Sequence, residues 1–227
     1  MPDVASDVVL EVRGLSFSYE DVPVLCDLSL EARAGQLVAL VGDNGAGKST
    51  LMGLILGSLR PQAGSIRLFG DDASAHAHHA DIAYVAQDAV RSYRHFPTTV
   101  RELLGVHLRH LKRRGAADEL LDTVGLREHL NKALSQLSGG QLQRVGLLLA
   151  LVRDARLILL DEPTAAVDAR FTDELYRLLR RLADEGRTVV VITHHLAEAA
   201  PFADRAVRLR AGACAEIPPA QWKEAAL

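Results

Sequence analysis

The sequence predicts an α/β fold: a core of buried parallel strands, an antiparallel β subdomain ahead of it, and an inserted helical subdomain. Three observations lead there. The runs Leu37 to Val41, Leu157 to Leu160 and Thr188 to Thr193 are apolar without alternation, as strands covered on both faces require. The segments before residue 33 alternate apolar and polar residues instead, the pattern of antiparallel strands with one wet face. From Thr98 to Val152 the apolar spacing is helical, with no strand signal inside it. The expected organisation is one domain over 1–227, with a core formed by about 1–87 and 155–227 and a helical subdomain over 88–154.

Taken in order, Val8 to Arg13, Leu15 to Tyr19 and Leu28 to Ala32 read as antiparallel strands. Tyr19 either covers the sheet or offers a flat face for a base to stack on. The buried strand Leu37 to Val41 then runs into Gly42-Asp43-Asn44-Gly45-Ala46-Gly47-Lys48-Ser49-Thr50, and Leu51, Leu54 and Ile55 continue at helical spacing. Strand, glycine loop and helix is the context a phosphate-binding loop needs. Gly42, Gly45 and Gly47 let the backbone curl until its N–H groups, with those of Asn44 and Thr50, point at one anion. Lys48 can reach the terminal phosphates of a nucleotide, and the Ser49 hydroxyl can ligate Mg²⁺.

Ser65 to Phe69 and Ile82 to Val85 are the next expected strands, separated by Asp71 to Asp81. That separator holds His76, His78 and His79 and reads as a solvated loop, because no cysteine or carboxylate geometry supports a metal. Gln87 follows a strand, where ligands gather in α/β sheets. In the helical block, Val100, Leu103, Leu104, His107, Leu108 and Leu111 form one face and Leu120, Leu121 and Val124 another. The basic residues between Arg91 and Arg114 read as a solvated helix face. The chain returns to the core at Arg156, in a strand that delivers Asp161 to a Mg²⁺ and Glu162 one residue further. A helix over Thr172 to Asp184 precedes the strand that ends in His194-His195. Ala203 to Leu209 and Ala213 to Ile217 read as the last strands, and Pro218 to Leu227 as a short helix packing Trp222 on the core.

Composition narrows the class. Among the 227 residues, 48% are hydrophobic and 24% charged, as in an ordinary globular protein. A net charge of −3 argues against nonspecific nucleic-acid binding, which leans on basic excess. Cys26 and Cys214 match no metal spacing and are expected as reduced thiols. No apolar run approaches the roughly 20 residues of a membrane span, and the acidic start does not read as a secretion signal. The expected location is the cytoplasm.

Leu137-Ser138-Gly139-Gly140-Gln141 opens another helix, with Ser138 as N-cap and two glycines leaving backbone N–H groups uncovered. A single nucleotide has no need of two such helix ends on one chain. A two-fold dimer uses both, the Ser138 loop of one copy closing over the phosphates held by Lys48 of the other.

Here the sequence resembles the ATP-binding subunits of ABC transporters over nearly its whole length. The order Tyr19, Gly42 to Thr50, Gln87, Leu137 to Gln141, Leu160-Asp161-Glu162, Asp168 and His194 carries the resemblance. It implies the ABC ATPase fold, a P-loop NTPase core, with ATP and Mg²⁺ as its nucleotide and metal. It further implies that Tyr19 stacks on adenine, Gln87 senses Mg²⁺ and the membrane partner, and Ser49, Gln87 and Asp161 hold the ion. Glu162 would polarise the attacking water, and His194 would contact the γ-phosphate. Ser138, Gly139, Gly140 and Gln141 would complete the site from the second copy, and Asp168 would link the two sites. The implied partners are a second copy, a transmembrane permease docked by the helical lobe and, through it, a solute-binding protein, with the chain peripheral on the inner membrane face. Asp43 stands where many relatives have proline, and His195 where an aspartate commonly follows the histidine.

Tyr84 to Gln87, His95 to Val100 and Ala166-Val167-Asp168 look most like the subunits that drive zinc or manganese uptake. Other substrates or export remain as alternatives within the family. A DNA-repair ATPase of the superfamily would carry a long coiled-coil insertion, a translation-associated relative two cassettes in tandem, and a kinase or GTPase would lack Leu137 to Gln141. An inactive binding module does not need the intact set Lys48, Asp161, Glu162 and His194.

Overall fold

Two sheets organise the described chain. The computed structural model describes residues 7–75, 78–86, 96–110, 117–164 and 169–222, so Gln87, Asp168 and His76 lie outside it, as do Arg91, Arg94, Lys112, Arg113 and Arg114 of the 91–114 basic stretch. In the first sheet, β1 (Val8–Tyr19) pairs antiparallel with β2 (Val22–Arg33) and β4 (Ala63–Leu68), and the two-residue β5 (Asp71–Asp72) closes the order β2-β1-β4-β5. The two expected strands are one continuous β1. Gly14, at φ +58°, sits where the β1–β2 register slips between Val12 and Leu15. That extra residue switches the buried parity from Leu10 and Val12 to Leu15 and Phe17, so the alternation breaks while the strand does not. A second irregularity at Asp27, φ +50°, moves the buried set of β2 from Leu25 to Leu28, which hid its first half from the sequence pattern.

The second sheet has the order β10-β9-β3-β8-β7-β6. Its strands β3 (Leu37–Val41), β6 (Ile82–Val85), β7 (Leu157–Asp161), β8 (Thr188–Thr193) and β9 (Arg205–Arg210) run parallel. Strand β10 (Ala213–Glu216) returns antiparallel to β9. Every residue of β3, β7 and β8 is buried, as their unbroken apolar runs require. Strand β9 starts two residues later than expected because Asp204 is occupied: its Oδ2 accepts from Leu37 N at 2.7 Å and from Arg180 Nη1 at 2.6 Å. That carboxylate ties the start of β3 to helix α5 (Ala169–Asp184), whose buried face carries Phe171, Leu175, Leu179 and Leu182. Burying a leucine there contributes about 1.5–3 kcal/mol relative to exposing it.

The helical subdomain is less helical than its apolar spacing suggests. It contains α2 (Val100–His110), α3 (Ala117–Thr123) and α4 (Gly139–Val152). Between α3 and α4 there are only 3-10 turns at Arg127–His129 and Leu134–Gln136, although Leu126, Leu134 and Leu137 are buried. Gly125, at φ +63°, stops α3 and leaves room for Arg144, since a Cβ there would lie 2.7 Å from its Nη1. The Arg144 guanidinium donates to Val124 O at 3.0 Å, pairs with Glu174 and lies 4.7 Å over the Phe171 ring. One side chain thereby joins α4, the end of α3 and α5.

Two expectations change at the periphery. His78 is not a solvated loop residue: its ring bridges Asp71 at 2.8 Å and Asp81 at 3.0 Å and lies 4.9 Å from the Phe69 ring. It staples β5 to the entrance of β6. The expected C-terminal helix is, in its described part, a 3-10 turn at Pro219–Gln221; Trp222 does pack on the core, its Nε1 donating to Ile217 O at 2.8 Å. Cys26 and Cys214 are free thiols, and burial pushes Cys214 up to about 11. No helix among the described residues is long and apolar enough to cross a membrane.

Candidate active site

The carboxyl ends of β3, β7 and β8 meet at one edge of the parallel sheet, where α/β folds bind ligands. Strand β3 leads into the glycine loop and α1 (Lys48–Ile55). Two of its glycines are dictated by space. A Cβ on Gly42 would lie 2.6 Å from the Leu209 carbonyl oxygen, and one on Gly47, at φ +101°, would lie 2.8 Å from Leu25 Cδ2. The first α1 hydrogen bond runs from Leu51 N to Gly47 O at 2.8 Å, so the preceding N–H groups stay free of helix partners. Buried Lys48 folds over the loop, its Nζ donating to Gly42 O at 2.6 Å and to Asp43 O at 3.0 Å. Asp43 is exposed, so the loop accommodates it in place of proline.

Asp161 is the last residue of β7 and is buried. Glu162, next in the chain, adopts a left-handed backbone at φ +49°, held by its N–H donating to Ile192 O at 2.9 Å. A non-glycine residue in that region costs about 1–3 kcal/mol and marks functional sites more often than others. The strained turn aims its carboxylate across the β7–β8 boundary at His194, whose Nδ1 lies 2.6 Å from Glu162 Oε2. The His195 ring packs 3.8 Å from that of His194, and His195 N–H donates to Thr193 Oγ1 at 3.0 Å, which anchors the turn without an aspartate.

The glycine loop and the two carboxylates line a cleft of about 320 Å³. Asn44, Gly45, Gly47, Lys48, Ser49 and Thr50 line one wall, and Asp161 and Glu162 the other. Tyr19 also lines it, half exposed and in a T-shaped contact with Phe17 at 4.9 Å between ring centres. Tyr19, the glycine loop, Asp161 and Glu162 therefore share one cleft, and His194, which does not line it, joins it through Glu162. Ser138 and Gln141 do not line this cleft: they cap α4 in the helical subdomain, Gln141 N donating to Ser138 Oγ at 3.2 Å and Ser138 N to Gln141 Oε1 at 3.0 Å. One site residue escaped the sequence reading. The Tyr84 hydroxyl donates to Asp161 Oδ2 at 3.4 Å, and burial, with the Asp161 charge beside it, pushes the phenol up to about 12, so it remains a donor. Only the pairing of β6 with β7 reveals that contact, since 77 residues separate the two side chains in sequence.

Comparison with known proteins agrees with this geometry. The ABC transporter family model matches residues 25–165. Over 221 residues the chain is 38% identical to the zinc transport system ATP-binding protein TroB of Treponema pallidum, covering 93% of this chain and 82% of that protein. It is also 38% identical over 231 residues to the macrolide export ATP-binding/permease protein MacB of Salmonella typhimurium, covering 95% of this chain but 35% of that longer protein. Among solved structures, cbiO1 from Clostridium perfringens, described as part of the ABC transporter complex cbiONQ, superposes with a TM-score of 0.86 at 25% identity, covering 96% of this chain and 91% of that one. The dimeric bacterial ABC transporter cassette MJ0796 superposes with a TM-score of 0.80 at 28% identity, covering 92% and 98%. The chain belongs to the ABC transporter family and is an ATP-hydrolysing subunit of such a transporter.

Proposed function

We propose that this chain powers the import of a divalent metal, zinc or manganese, and that two copies hydrolyse ATP at sites they share. The observation that carries the catalytic reading is the Glu162–His194 pair at the mouth of the phosphate loop. Lys48 and the loop N–H groups would hold the β- and γ-phosphates, exchanging the carbonyls of Gly42 and Asp43 for phosphate oxygens. Glu162 would orient the attacking water and take its proton, a role typically contributing about 10²–10⁴-fold. His194 restrains that carboxylate and would contact the γ-phosphate; Tyr19 would stack on the adenine.

Ser49 and Asp161 supply a hydroxyl and a carboxylate on facing walls of the cleft, hard oxygen donors of the kind Mg²⁺ takes, and Gln87 would add a third. The ion, when bound, would neutralise charge on the phosphates. Tyr84 steadies Asp161 for that role. The separation of Ser138 from the cleft favours its use in trans, with Asp168 between the two sites; MJ0796 is a dimeric cassette and cbiO1 part of a larger complex. The helical subdomain would dock the permease.

Support for the metal comes from TroB, matched over most of its length, and from the resemblance of the Tyr84–Val100 stretch to uptake subunits. MacB, equally identical, is matched over a third of its length and names export. The test is ATP turnover by the chain assembled with its permease and solute-binding partner. Zinc or manganese is expected to stimulate it severalfold and Glu162→Gln to abolish the stimulated rate; stimulation by a macrolide instead would overturn the metal assignment, and an active Glu162→Gln the catalytic one.

A further inference from the structure

The capping box at Ser138 fixes more than a helix end. Because Ser138 N–H can only give a hydrogen, the Gln141 carboxamide must present its oxygen there, at 3.0 Å, and turn its NH₂ the other way. That NH₂ meets His129 Nε2 at 2.9 Å. A nitrogen that faces a donor must accept, so the His129 ring is neutral and carries its hydrogen on Nδ1. Nδ1 is buried and finds no partner among the described residues. An orphaned donor is costly, and such groups in folded proteins call for a reason. The reason on hand is the other nitrogen: the ring leaves Nδ1 unpaired in order to keep Gln141.

The ring is also delivered by a fixed turn. His129 closes the 3-10 turn Arg127–His129, its N–H donating to Leu126 O at 2.9 Å and its carbonyl accepting from Lys132 N at 2.9 Å. Leu126, buried, anchors that turn in the core. The backbone therefore sets where Nε2 stands, and Nε2 sets the Gln141 amide.

We propose that His129 is a positioning residue for ATP turnover: by accepting from Gln141 it holds the Ser138–Gln141 capping box closed, so that the Gly139 and Gly140 N–H groups stay aimed at the triphosphate bound to a second copy. This rests on the shared-site reading above. Its contribution arises only when two copies close over ATP, so it belongs to kcat and not to nucleotide binding by a single chain.

Three variants and one spectrum test it. His129→Phe keeps the ring volume and removes the acceptor, and kcat is expected to fall about three- to tenfold, the worth of one hydrogen bond, with the single-chain Kd for ATP unchanged. His129→Gln places an oxygen near the Nε2 position and is expected to return kcat to within about twofold of the parent, a rescue that general loss of stability would not give. In the unaltered protein, long-range ¹H–¹⁵N spectra of labelled histidine should show His129 with Nδ1 protonated and Nε2 bare. Full-speed His129→Phe, no recovery in His129→Gln, or an Nε2-protonated ring would each overturn the assignment. Ser138→Arg, expected to be inactive, separates the two layers: if it turns over normally the shared-site reading falls and the proposal with it, whereas an inactive Ser138→Arg beside a full-speed His129→Phe overturns the His129 role alone.

Discussion

At Gly47 the backbone holds φ at +101°, and an added Cβ would meet Leu25 Cδ2 at 2.8 Å, while at Gly45 φ is +81° but nothing lies within 4 Å. The two glycines of one loop therefore differ in what they tolerate. Gly45→Ala costs backbone strain only, whereas Gly47→Ala adds a clash beneath the start of α1, together on the order of 1–3 kcal/mol or more. Thermal unfolding of Gly47→Ala should come several degrees lower than that of the parent, about 2–4 °C per kcal/mol for a chain this size, and its ATP affinity at least about tenfold weaker. Gly45→Ala should lie between them; equal Tm values for the two variants would show that the Leu25 contact is inconsequential. At this scale the sequence was most informative where chemistry and chain order coincide. Lys48, Ser49, Asp161, Glu162 and His194 each follow a recognisable strand, and the sheet brings those strand ends together. Tyr84 and His129 meet partners 77 and 12 positions away, and no local pattern encodes such a contact.

Elements were legible where their burial is uniform and obscured where it changes parity. Strand β8 was read over its full span, Thr188–Thr193, because both its faces are covered, while the bulges at Gly14 and Asp27 broke the alternation that would have revealed β1 and β2 whole. In the Asp71–Asp81 segment, exposed at most of its described positions as its polar composition suggests, His78 is the exception: three polar groups satisfy one another around it. Hydrogen bonds to Asp71 and then Asp81 raise the His78 imidazole above its ordinary value of 6.5, outweighing the opposing effect of burial. The pair of contacts therefore stabilises the fold fully below pH about 6.5, where the unfolded histidine is also protonated, and that contribution is lost as pH rises through the raised folded value. His78→Gln should accordingly lower Tm at pH 5.5 and leave it nearly unchanged at pH 9. A deficit that grows with pH would have the wrong sign for charged His78 and would remove the staple.

At the scale of the assembly, Ser138 and the Lys48 cleft lie apart on one chain, and both end in uncovered backbone N–H groups. If a working site takes Glu162 from one copy and Ser138 from another, two inactive variants can repair each other. Glu162→Gln lacks the carboxylate in its own cleft but brings an intact Ser138 loop; Ser138→Arg has the carboxylate and a spoiled loop. A mixed pair then contains one intact site, built from the Glu162 of the second variant and the Ser138 of the first, and one site with both defects. Random pairing in an equal mixture makes about half of the dimers mixed, so turnover should recover to about a quarter of the parent rate, provided the two sites fire independently. Sites contained within single chains predict no recovery at any ratio, and recovery that does not peak near the equal mixture would point to an exchange other than two-fold pairing. Measuring ATP hydrolysis across the mixing series, with the permease present to hold the pairs together, decides between them without any structure of the closed state.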